Sequence, residues 1–345
     1  MLQPRAQHLA KASFNSDYYI LDGCLAYAGR YLCVSSSQPS IRVYDARQST
    51  FLFELKDHST NITDIVSVTG HPELLFSSQS DTGVMVTDLR VAKPVQFLAE
   101  LTGQGKVNGS ISVSDDGTSL AIGADGDLHL VDARTWCSTR CIAQLHNDEI
   151  TRVRHCSDAV VCTAGEDQLI NFVDVRLEED DMMLNIINGE EVITKMHHYP
   201  EHGCVAMVGS CENVFIGTVN GSRELKYPRR DYATYQVDVV PFGDQLCLLS
   251  GAKDDEGNAA GLDFTVLRPA VRHLCSFPQG IHTEQVRFTL SFDDTVITGG
   301  EDGMIAYWRL EWVQPQVAAE VTSDSSSMKA RSKPRVGPQP YSKGA

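Results

Sequence analysis

No apolar run among these 345 residues approaches the roughly 18 that a membrane-spanning helix requires, so no membrane span is expected. None of the ten cysteines forms a CxxC pair, which removes the common zinc-ribbon and dithiol-redox patterns. Cys33, Cys162, Cys204 and Cys247 lie inside strand-like runs, where a thiol packs as a small apolar group. That usage suits a reducing compartment without structural disulfides, and no secretory leader is read. No G-x-S-x-G nucleophile elbow is present either. Basic charge is scarce: 29 Lys and Arg stand against 45 Asp and Glu, a net of −16. Such a balance argues against general nucleic-acid binding and favours basic partners.

What the chain does have is a repeated unit, clearest over residues 281–310. There QVRFTLS, TVITG and MIAYWRL are separated by the turns Phe292-Asp293-Asp294 and Glu301-Asp302-Gly303. Runs of β-branched and aromatic residues bounded by Gly and Asp predict short strands in a meander. Three such strands bury little alone, so one unit predicts neighbours on both faces. Aligned on the end of the third strand, the anchors are Tyr44-Asp45, Thr87-Asp88, Val131-Asp132, Val173-Asp174, Gly217-Thr218, Leu267-Arg268 and Trp308-Arg309. They are spaced 43, 44, 42, 44, 50 and 41 residues apart. A period near 40–45 residues with four short strands each predicts a closed β-propeller, and seven anchors predict seven blades.

On these anchors the chain resembles the WD40 repeat family over roughly residues 8–312, although the Trp that names the repeat survives once. The expected fold is all-β, a seven-bladed WD40-type propeller over 1–313 whose last blade is closed by a strand from near residues 7–14. The alternative for that opening segment, which has no acid before Asp17, is a presequence. The extra length of unit six is assigned to a loop at 251–261. Residues 314–345 lose the hydrophobic pattern, and the last 21 carry five Lys or Arg and no acid, so a disordered basic tail is expected. The residues before those 21 hold 24 basic and 45 acidic side chains, a net of −21.

The resemblance implies a buried relay within a blade: a His before the first strand, a Ser or Thr on the second, an Asp in the following turn, and the Trp ending the third. By position these are His282, Thr298, Asp302 and Trp308 in unit seven. Unit four offers His146, Thr163 and Asp167 with Val173 in the Trp place, and unit two His58, Ser77 and Asp81 with Thr87 there. These sets look like hydrolase triads, but the propeller gives each residue a structural reason, and a catalytic site is not expected. An enzymatic propeller needs carboxylates converging on the channel, and the inner-strand segments VNGSISV, ITRVR and QVRFTL offer few. Metal-ligand types gather at His197, His198, His202 and Cys204, where alternating faces make a closed set strained. Cys137 and Cys141 are a weaker candidate still, and neither metal nor cofactor is expected.

Two acidic clusters, Glu178-Glu179-Asp180-Asp181 and Asp254-Asp255-Glu256, are candidate docking patches for a basic protein segment. The endings Asp45-Ala-Arg47, Asp88-Leu-Arg90, Asp132-Ala-Arg134 and Asp174-Val-Arg176 are similar to the WDxR box by which some WD proteins dock on a cullin-4 ligase adaptor. All four lack the Trp, and a local ion pair is the alternative. SIRVYDA with FLFEL, KPVQF, HNDEITRVR through INFVDVR, and TGGEDG together resemble the WD repeat-containing protein 89 family. That likeness implies a non-catalytic WD protein without a well-defined activity. The expectation for this chain is an interaction scaffold, cytoplasmic or nuclear, monomeric within a larger complex. The competing reading is a ubiquitin-ligase substrate receptor acting through Arg176 and its counterparts.

Overall fold

Strand-forming runs broken by Gly and Asp turns fold here into 28 strands among the described residues, which are 3–13, 18–80, 83–98, 110–219 and 222–313 of a computed structural model. Asp81 and the expected tail, 314–345, lie outside them. After β1 (Gln3–Ser13), blade one comprises β2 (Ile20–Ala26), β3 (Tyr31–Ser36), β4 (Ile41–Asp45) and β5 (Phe51–Leu55). Blade two is β6 (Ile62–Ser67), β7 (Leu74–Gln79), β8 (Gly83–Asp88) and β9 (Lys93–Leu98). Blade three is β10 (Ile111–Val113), β11 (Ser119–Ala124), β12 (Asp127–Asp132) and β13 (Cys137–Ile142). Blade four is β14 (Ile150–His155), β15 (Val160–Gly165), β16 (Leu169–Asp174) and β17 (Met183–Asn188). Blade five is β18 (Ile193–Tyr199), β19 (Cys204–Gly209), β20 (Val214–Gly217) and β21 (Arg223–Tyr227). Blade six is β22 (Thr234–Phe242), β23 (Gln245–Lys253), β24 (Ala259–Arg268) and β25 (Arg272–Ser276), and blade seven is β26 (Val286–Phe292), β27 (Thr295–Gly300) and β28 (Met304–Val313).

Each blade is an antiparallel four-stranded sheet, and β1 supplies the fourth strand of blade seven, pairing with β28 from Gln3↔Val313 to Ser13↔Met304. The closing strand therefore covers 3–13, with a bulge between His8 and Ala10. First strands touch in order around the ring and β26 returns to β2, so the ring is shut. Seven apolar clusters fill the seven seams between neighbouring blades. Because both faces of a blade are covered, the middle strands are apolar without alternation: all six residues of β8 and of β19 are buried. Among the outermost strands β21 alternates between half-buried and exposed residues.

One boundary differs from expectation. The 251–261 insertion is not a loop: β23 and β24 run on as a long hairpin paired out to Lys253↔Ala259, leaving only residues 254–258 as its turn. Asp254 closes that turn by accepting from the backbone N–H groups of Glu256 (3.0 Å) and Asn258 (2.8 Å).

Candidate functional site

Six of the seven first strands carry a bulge near their start, and pairing resumes at Asp22, Asp64, Arg152, Lys195, Asp238 and Phe288. A bulge re-aims the residue that follows it. Five of these six are charged, and with Arg154, Met196 and His197 they line a central cavity of about 20 Å3, space for about one water. The channel thus holds three carboxylates where few were expected. It also holds Arg152, Arg154 and Lys195, so its formal charges balance.

The pairing inside the channel is specific. Asp64 Oδ2 accepts from Arg154 Nη1 (3.1 Å), the Ile111 backbone N–H (3.2 Å) and the Ser110 hydroxyl. Arg154 Nη1 also donates to Ser110 Oγ (2.7 Å) and to the carbonyls of Ile111 (3.0 Å) and Val153 (2.7 Å). Asp238 Oδ2 lies 2.9 Å from His197 Nε2 and 3.5 Å from Lys195 Nζ. Burial would raise the Asp238 carboxyl, but His197 and Lys195 beside it outweigh burial and hold the group down at about 2. Burial opposes ionisation of Asp64 likewise, and Arg154 and Arg152 more than offset it, so its pKa is lowered. Asp22, enclosed and without so close a cation, is raised by burial.

Blade seven brings its four relay residues together. The Trp308 indole N–H donates to Thr298 Oγ1 (2.8 Å), which lies 2.8 Å from His282 Nε2. His282 Nδ1 is 3.1 Å from Asp302 Oδ2, and Asp302 also accepts from the backbone N–H groups of Thr283 and Met304. One tautomer satisfies the whole chain: Nδ1–H donates to the carboxylate and Nε2 accepts from the threonine hydroxyl. In blade four His146 spans Asp167 (3.0 Å) and Thr163 (2.8 Å) in the same way. Asn171, a residue not singled out in the sequence, joins this set: its amide donates to the Leu145 carbonyl (2.9 Å) and lies 3.2 Å from His146 Nε2. Blade two keeps His58 Nε2 against Ser77 Oγ at 2.8 Å. Blade five has instead a buried Glu191, which takes the Asn213 amide (2.6 Å) and sits so close over Gly209 that a Cβ there would clash.

His155 makes a testable contribution of its own. Its backbone N–H and Nδ1 face Ser112 Oγ at 2.8 and 3.1 Å, while Nε2 is buried and unpartnered among the described residues. Burial, only partly opposed by Asp116, pushes the imidazole down to about 4 from an ordinary 6.5. The neutral form is favoured in the fold, so stability is greatest above pH 6.5 and falls as pH drops toward 4. Thermal melts across that window should show the decline, and His155→Gln should flatten it relative to wild type.

Three Asp-x-Arg endings form identical local clasps: Arg90, Arg134 and Arg176 each place Nη2 2.6–2.8 Å from the Asp two residues earlier. Their guanidinium groups remain well exposed, where a pair adds little stability. Arg47 instead crosses to blade seven, pairing with Asp293 and stacking over Phe292. The acidic residues 178–181 form a turn between β16 and β17, and 254–256 fall between β23 and β24, so the clusters sit at opposite ends of the third strands. All seven side chains are exposed, and none forms an ion pair with another described residue. The metal-ligand types at 197–204 are dispersed: His197 enters the channel, His202 is the last residue of a short 3-10 turn and Cys204 is buried in β19.

The fold and these internal networks define a seven-bladed β-propeller of a form consistent with the WD40 type. No protein-family model matches the chain. Among the described residues no helix is long and apolar enough to cross a membrane.

Proposed function

We propose that this chain is a non-catalytic scaffold of the WD-repeat type that holds partner proteins on the faces of its propeller. What carries the reading is a division of labour. The buried His, Thr and Asp sets spend their hydrogen bonds inside single blades, whereas the acidic turns, Glu178 to Asp181 and Asp254 to Glu256, are exposed and form no ion pair with another described residue. Rigid charge on an acidic body steers a basic segment and sets its on-rate. The resemblance to the WD repeat-containing protein 89 family, which implies a non-catalytic WD protein, points the same way. On this reading the protein works in the cytoplasm or nucleus within a larger complex, with residues 314–345 as an appended tail. Neutralising the 178–181 turn to Gln and Asn should remove salt-sensitive partners from an affinity purification of the full chain. If the partner set and its salt dependence are unchanged, the acidic turn is not a docking site.

The competing reading, a ubiquitin-ligase substrate receptor, is favoured by one observation: Arg90, Arg134 and Arg176 present exposed guanidinium groups in the same orientation after their strands. Recovery of the ligase adaptor with wild type and its loss with Arg176→Ala would support that reading over a general scaffold.

A further inference from the structure

The register of blade three places three metal-ligand types on one patch of its outer half. Asp127 and His129 are two apart on β12 and so share a face, and Cys141 on β13 is the cross-strand partner of His129. Their ligand atoms lie within 4.8 Å of one another, with Cys141 Sγ 4.0 Å from His129 Nε2. The site is partly preorganised. His129 is buried, and Asp127 Oδ1 is fixed by the Gln144 backbone N–H at 2.7 Å, which leaves Oδ2 to turn toward an ion. Such second contacts orient first ligands in metal sites.

From this juxtaposition we infer that Asp127, His129 and Cys141 bind a divalent ion of the zinc class. One imidazole, one thiolate and one carboxylate suit zinc or cobalt and not magnesium or calcium, which take oxygen ligands. Bonds of about 2.0 Å to nitrogen and about 2.3 Å to sulfur at a tetrahedral angle need roughly 3.5 Å between those atoms. The observed 4.0 Å closes to that with a small rotation of the exposed Cys141 side chain. Binding replaces the thiol proton: the S–H bond breaks, an S–metal bond forms and the proton leaves to buffer. Because Cys141 is exposed, the fourth position is open to water or to a ligand from a partner. Asp127 also lines an open rim pocket of about 350 Å3 with Asp125, Asp148 and Glu149, whose negative potential draws cations toward the site.

The test is a Co2+ titration of the reduced, metal-free full chain, followed in the visible and near ultraviolet, with Zn2+ then added to displace it. One equivalent should bind with the charge-transfer absorption of a single thiolate, and Zn2+ should remove the colour while raising the melting temperature. Cys141→Ser should abolish the charge-transfer band and weaken binding more than about tenfold. Cys137→Ser, at another exposed thiol four residues away, should leave both unchanged. Because Cys141 lies on the surface, its serine variant should melt like wild type without metal, which separates lost ligation from lost folding. The inference is overturned if Cys141→Ser retains the band, if no thiolate band appears, or if Cys137→Ser loses as much as Cys141→Ser.

Discussion

Trp308→Ala should destabilise the fold by about 3–5 kcal/mol, the range for truncating a buried aromatic, measured as a lowered denaturation midpoint. Trp308 is 1% exposed and lies where three parts of the ring meet. Its edge meets His8 of the closing strand at 5.4 Å and Phe277 beyond blade six at 5.1 Å, and its indole N–H holds Thr298 in blade seven. The same apolar cluster contains Ala6 of β1, Phe264 of blade six and Leu310. Truncation therefore opens a cavity at the seam where the chain ends are clasped, and leaves Thr298 with one fewer partner. Trp308→Phe separates the two effects. It keeps most of the ring packing but removes the indole N–H, so its cost should be near the ~0.5–1.5 kcal/mol of one hydrogen bond. If alanine costs less than phenylalanine, the packing role assigned to this ring is wrong.

The blades were legible because their third strands end on a repeated signal: Asp45, Asp88, Asp132 and Asp174 close β4, β8, β12 and β16. The closing strand was legible from topology, since a propeller must hide its last edge. The channel charges were not, and the reason is physical. A bulge inserts one residue and reverses the phase of alternation, so a two-residue period carried through Ile62-Thr63-Asp64 aims the wrong side chain inward. The usable signal was the repeated pattern of an apolar residue and then a charge two positions on: Ile20 and Asp22, Ile62 and Asp64, Ile150 and Arg152, Ile193 and Lys195. The Asp127, His129 and Cys141 patch was hidden for another reason. Its members sit on two strands, and only the pairing register of β12 with β13 sets His129 against Cys141. Asn171 joins the His146 set from a strand position other than the Trp place, which no alignment of anchors would reveal.

Arg154→Met should cost about 3–5 kcal/mol at pH 7, as breaking one partner of a buried ion pair does, and the cost should shrink in acid. A single nitrogen of Arg154 ties Asp64 of blade two, Ser110 and Ile111 at the start of blade three, and its own strand in blade four. Methionine fills a similar volume but leaves Asp64 charged, enclosed and without its nearest cation. In wild type the Asp64 pKa is lowered, so its contribution is fully present above the ordinary value of 3.8 and is lost as pH falls below it. Without Arg154, burial dominates and the folded-state pKa should rise above 3.8, so the variant regains stability relative to wild type as Asp64 protonates. Denaturation midpoints of both proteins from pH 7 down to about 4 should therefore converge. Adding Asp64→Asn removes the stranded charge, and the double variant should recover part of the loss at pH 7 and show a flatter pH profile. A gap between Arg154→Met and wild type that is constant across pH would mean that Asp64 does not depend on Arg154, and that the inner ring is held by its apolar seams alone.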